Sequence, residues 1–196
     1  MIITNLPNDL GVASPDEQLV QACLEDNQEA WGALVNKYRN LIFSVPIKLG
    51  LSRDDASEVF QNVCLTLISE LRRIREPRTL AAWLIQVTAH ECFHWRRKNH
   101  RHKAVDLNAS ERELHVPAGL TDVMIDQLRR EQILREAIAE LPPRCNVLIR
   151  MLFFTTPALP YEEIAVQLGL AKGSIGFIRM RCLKRLRRYL EQKGFR

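Results

Sequence analysis

Between Ala56 and Leu71, the apolar residues Ala56, Val59, Phe60, Val63, Cys64, Leu67, Ile68 and Leu71 recur at intervals of three and four without a gap. Only an α-helix gathers such positions onto one face, because 3.6 residues per turn bring every third and fourth side chain into line. The same period runs through most of the chain. Trp31, Leu34, Val35, Tyr38, Leu41, Ile42 and Val45 form a second stripe, and no stretch sustains the period-two alternation of a strand. The chain is predicted to be all-α.

Punctuation divides the helices. Ser14 with Pro15 and Glu17 reads as a capped helix start, and Asp26 with Glu29 as a second. Gly50 closes that second run, and Ser52 with Asp55 opens the next. The charged stretch "RRIREPRT" (72–79) then interrupts, with Thr79 as the cap of a helix from Leu80 to about Lys98. Residues 99–121 have no sustained period and read as a linker, and helical patterning resumes near Asp122, broken at "PP" (142–143) and "TTPALP" (155–160). Two small helical domains joined by a flexible linker account for this pattern.

At 196 residues the chain has room for one ordinary domain or two small ones. No run of about 18 apolar residues appears, so no membrane insertion is expected. The N-terminus lacks the basic start and apolar core of a secretory signal. The five cysteines, Cys23, Cys64, Cys92, Cys145 and Cys182, are scattered within apolar helical patterns and read as buried free thiols, as in a cytoplasmic protein. Charge is unevenly spread: residues 1–36 hold six acids and no Lys or Arg, while 172–196 hold nine basic residues against Glu191 alone. With a second basic cluster at "WRRKNHRHK" (95–103), a polyanionic partner is indicated.

The segment "HECFHWRRKNH" (90–100) contains HExxH followed by a third His. Two His four apart on a helix can bind zinc, with Glu91 as general base. The version with a third His needs Gly three residues after the second, to turn the chain back, and Arg97 stands there. In a continuing helix His100 lies about 240° round and ~9 Å beyond His94. Arg96, Arg97, Lys98, Arg101 and Lys103 would also repel a dication. No metal, cofactor or catalytic residue is expected.

The segment "YEEIAVQLGLAKGSIGFIRM" (161–180) has the spacing of a helix-turn-helix. Ala165 is the small residue at the helix crossing, Gly169 the residue tolerant of positive φ, and Ile175 and Ile178 lock the second helix. Ile164, Leu168 and Leu170 supply the inward face. That helix continues into "RMRCLKRLRRYLEQK", dense in Arg and Lys. Lys172 and Ser174 lie at its start, where side chains reach base edges, with Arg179, Arg181, Lys184 and Arg185 toward phosphates.

Here the chain resembles the sigma-70 family of bacterial transcription initiation factors, in its extracytoplasmic-function (ECF) group. "DEQLVQACLEDNQEAWGALVNKY", "DDASEVFQNVCLTLISEL" and "TLAAWLIQVTAHECFHWRRKN" resemble region 2 of that family. "LREAIAELPPR", "YEEIAVQLGL" and "RCLKRLRRYL" resemble region 4. The resemblance implies an N-terminal tail (1–13), a region 2-like domain (14–100), a linker (101–125) and a region 4-like domain (126–196). It implies a protein that binds core RNA polymerase and recognises promoter −10 and −35 elements, with an anti-sigma factor as a candidate partner.

In the family the melting helix has Asn and Asp where His90 and His94 stand, so HExxH is read as two substitutions in a DNA-facing helix. The −10 contacts implied are Arg75, Arg78 and Thr79 around a pocket for an extruded base, then Trp83, which reads equally as a core residue, and Gln86, His90, His94, Arg96, Arg97 and Lys98. Asp54, Asp55, Glu58, Gln61 and Asn62 are the implied polymerase-binding face. Gly176 and Phe177 replace a common Lys-Ser pair in the −35 helix, and Ile178 stands where Arg is frequent, so the resemblance gives this helix its role but not the sequence it reads. A stand-alone helix-turn-helix regulator is the rival, needing only the C-terminal half.

Overall fold

The computed structural model describes residues 10–103 and 119–195. Most of the expected tail (1–9) and of the expected linker (104–118) lies outside the described residues. Among those described there are eight α-helices, three short 3₁₀ turns and no strand, so the fold is all-α. No helix among them is long and apolar enough to cross a membrane. The chain divides into two compact units after Gln132.

The first unit is built on α2 (Gln28–Lys48), which packs against α1 (Asp16–Leu24), α3 (Arg53–Glu70) and α4 (Leu80–Lys103). Leu34, Leu41 and Val45 of α2 meet Val59, Val63 and Leu67 of α3 and Leu84 and Cys92 of α4 in one buried cluster. Leu128, from the first half of α5 (Asp122–Ala139), joins that cluster. Polar groups fix the packing. Asp16 takes Lys37 Nζ at 2.8 Å and the Tyr38 hydroxyl at 2.7 Å, and Lys37 also donates to the Ser14 carbonyl at 2.9 Å. An ion pair that is nearly buried holds because both charges are answered.

The helix boundaries partly revise the reading of the caps. Ser52 and Asp55 do form a reciprocal capping box. Gly50, at φ +82°, ends α2: its N–H reaches the Ile47 carbonyl and the next N–H that of Pro46, a Schellman closure. Ser14 does not cap α1; its hydroxyl accepts from Gly11 N–H, and the helix begins one residue later at Asp16. Asn27, rather than Asp26, caps α2, accepting from Ala30 N–H at 3.0 Å. Thr79 belongs to a 3₁₀ turn, Pro77–Thr79, and its hydroxyl donates back to the Glu76 carbonyl at 2.8 Å. Helix α4 runs to Lys103, five residues past its expected end.

In the second unit α6 (Pro143–Phe153), α7 (Tyr161–Leu168) and α8 (Ile175–Gln192) enclose Ile138, Leu148, Ile149, Ile164, Ala165, Ile175 and Leu186. Gly169 has φ +60°, and Leu170 N–H closes on the Ala165 carbonyl at 2.8 Å, which gives the sharp turn between α7 and α8. Lys193 ties the end of α8 to Glu140 at 2.8 Å and Glu136 at 3.3 Å. Burial works to lower its pKa, and these two carboxylates outweigh it and raise it. Cys145 of α6 and Cys182 of α8 form a disulfide, with Cα atoms 5.4 Å apart. This corrects the expectation of five free thiols, which holds for Cys23, Cys64 and Cys92. The two partners lie 37 residues apart and meet only when α6 packs on α8.

Candidate nucleic-acid interface

Each of the two units presents a face that can meet nucleic acid, and helical phase decides which side chains reach it. In α4 the inward positions are Leu80, Leu84, Thr88 and Cys92. Gln86, His90, His94 and Arg97 fall on the opposite side and are exposed, with exposed Lys98 a residue further on. The structure brings these residues together as one stripe. His90 and His94 meet through their Nε2 atoms at 3.2 Å, with the rings edge to face. Since α4 continues as helix past position 100, that position is carried away from the pair along the axis, as the spacing argument requires. The side chain of His100 lies outside the described residues.

Arg96 does not share the stripe. It follows buried Cys92 by four residues, and its guanidinium donates to the Leu49 carbonyl, where α2 ends. A cation beside the last carbonyls of a helix is favourably placed, and here it fastens α4 to α2. Trp83 sits at the N-terminal end of the stripe. It is half-buried against the core, and it also lines a cleft of about 380 Å³ with Glu70, Arg73, Ile74, Arg75, Glu76 and Thr79. Arg75 and Thr79 therefore border the cleft. Arg78 is not among its lining residues: its Nε pairs with Glu17 of α1 at 2.9 Å. That hydrogen bond holds the Glu17 carboxyl below its ordinary pKa and raises that of Arg78.

Helix α3 shows a third surface. Asp54, Glu58 and Gln61 point away from the buried Val59 and Val63, and Asn62 is exposed beside them. Asp55 is engaged in the capping box, and Glu58 accepts from Trp95 Nε1 at 2.9 Å. Leu65 and Ile68 continue the stripe toward the C-terminus and are 66% and 59% exposed. The apolar period places Ile68 inward and does not mark Leu65 as a surface residue. Ile68 lies 100° beyond Leu67, which is enough to carry it off the core face.

In the second unit Ile175, Cys182 and Leu186 are the buried side of α8, with Ile178 half-buried against the same core. Phe177, Met180, Arg181 and Lys184 lie diametrically opposite, and Gly176 and Arg185 flank them, all exposed. Arg181 lies 4.9 Å over the Phe177 ring. The remaining expected contacts are occupied within the unit. Lys172 pairs with Glu162, and this hydrogen bond lowers the pKa of that carboxyl. Ser174 donates to the Ala171 carbonyl at 2.7 Å. Arg179, four residues past buried Ile175, donates to the Tyr161 hydroxyl at 3.0 Å and lies 5.6 Å over the Phe153 ring.

The basic residues, the exposed rings and a cleft bounded by Trp83 suit a polyanion with bases that can be stacked or enclosed. Residues 34–102, which run from within α2 to within α4, match the family model described as Sigma-70 region 2. No curated protein matches the chain.

Proposed function

We propose that this chain, whose first unit carries a sigma-70 region 2, is an ECF-type sigma factor. It binds core RNA polymerase, directs it to promoters through −10 and −35 elements, and assists DNA opening. The region 2 match supports a sigma factor role in transcription initiation. The observation that carries the finer reading lies within the matched segment: the cleft at Trp83 adjoins the stripe Gln86–His90–His94–Arg97.

A protein without nucleotide hydrolysis opens duplex DNA only by binding the open form better than the closed one. The cleft offers enclosure for an unstacked base, and Arg97 and Lys98 answer the backbone of the freed strand. Polymerase carries out the chemistry, and the sigma factor acts in the cytoplasm. The α3 face, acidic at Asp54 and Glu58 and apolar at Leu65 and Ile68, is the surface proposed to dock on polymerase. Apolar centres with charged surroundings are typical of such contacts. Helix α8 enters the major groove of the −35 element.

Core polymerase binding tests the reading. Asp54→Lys combined with Leu65→Asp is expected to weaken association with core RNA polymerase at least tenfold, measured by titration of labelled chain, while helicity is unchanged. A chain that binds duplex DNA sequence-specifically but never associates with core polymerase is the stand-alone helix-turn-helix regulator instead.

A further inference from the structure

We infer that Phe177 and Met180 read the C5-methyl groups of thymines in the duplex element that α8 enters. Sequence selection there then rests on apolar contact more than on hydrogen bonds to base edges. The inference rests on the proposed DNA-binding role of the second unit and gives that site its ligand chemistry.

Phe177 and Met180 are 64% and 71% exposed, three residues apart at the start of α8 and opposite its buried Ile175 and Cys182. Single exposed apolar residues are ordinary, but here two large ones occupy the turns with which a recognition helix meets bases. Cations ring them. Arg181 lies over the Phe177 ring, and Lys184, Arg185 and Arg188 follow, all exposed. Residues 172–196 carry nine basic groups against one acid, which selects a polyanion over a protein or an apolar ligand as the occupant.

At the start of the helix the hydrogen-bonding groups placed to read base edges are missing or engaged, and the exposed Arg181, Lys184 and Arg185 follow further along, toward phosphates. No Asn or Gln occurs between 168 and 191. Lys172 pairs with Glu162, Ser174 bonds Ala171, and Arg179 is held by Tyr161. In the major groove of unmodified DNA the thymine methyl is the apolar group that a side chain can recognise. Gly176 adds to the case. A Cβ there would meet nothing within 4 Å, so no packing inside the protein asks for glycine at a position where helices disfavour it. A bare backbone beside Phe177 lets the helix approach the groove closely.

The test uses deoxyuridine, which pairs as thymidine does and lacks only the methyl. The full chain, alone and with core RNA polymerase, is used to select its preferred duplex from a random library. Each thymine of the element contacted by the second unit is then replaced by deoxyuridine. Burial of one methyl corresponds to about a fourfold change in affinity. A loss of about that size is expected at one or two positions, absent in Phe177→Ala or Met180→Ala. Specific binding that is unchanged by every replacement overturns the inference and leaves the DNA-binding reading standing. Failure to select any sequence overturns both. If Phe177→Ala and Met180→Ala weaken polymerase binding but not duplex affinity, the apolar pair is a protein contact and the inference is wrong.

Discussion

Arg96 and Arg97 adjoin in sequence and have opposite surroundings. Arg96 donates to the Leu49 carbonyl, whereas Arg97 is exposed on the stripe with His90 and His94. Arg96→Ala is expected to lower the stability of the first unit by about 2 kcal/mol, the scale of a charged hydrogen bond. Urea unfolding would measure it. Arg97→Ala should change stability by less than about 0.5 kcal/mol and reduce the salt dependence of promoter binding by about one phosphate contact. The thiols give a second residue-scale prediction. Burial pushes Cys23 up to about 11 and Cys92 up to about 12, while Cys64 is half-buried and raised less far. At pH 8 iodoacetamide should therefore modify Cys64 first. Above about pH 9 an unfolded chain sheds thiol protons that the folded chain keeps. Stability from these groups is complete below that pH and should fall as pH rises toward 11, which unfolding at stepped pH would register.

At the scale of elements, much of the second unit could be read from local spacing. Ala165, Gly169 and Ile175 act over a single turn, so their roles follow from sequence distance alone. Contacts between distant elements could not be read this way. The Cys145–Cys182 disulfide depends on how α6 packs against α8, and Arg96 meets a carbonyl 47 residues away. For Arg96 and Arg179 a signal was present: each follows a buried residue, Cys92 or Ile175, by four, which turns it toward the body. Helical phase already sets Arg97 on the stripe with His90 and His94 and leaves Arg96 at its basic end; the inward turn of Arg96 to a carbonyl follows from its spacing to buried Cys92. The disulfide closes a loop of 37 residues, for which the chain-entropy treatment gives about 4 kcal/mol. Adding dithiothreitol should lower the melting temperature of the second unit and leave that of the first unchanged. Equal shifts in both would contradict a stabilising role confined to the second unit.

For the whole molecule, the proposed role requires three surfaces to act on one process: the α3 face on polymerase, the cleft and α4 stripe on opened DNA, and α8 on duplex. The all-α architecture was readable from periodicity, and the match over residues 34–102 supports the role of the first unit. A stand-alone regulator would need only α8, leaving the exposed Leu65 and Ile68 and the cleft at Trp83 without a task. Run-off transcription on a fragment library, with purified core RNA polymerase and with or without this chain, separates the two most directly. A sigma factor produces new, discrete start sites that share upstream elements, and Arg97→Ala weakens them. If specific DNA binding is retained but no start site depends on the chain, the sigma factor role is contradicted.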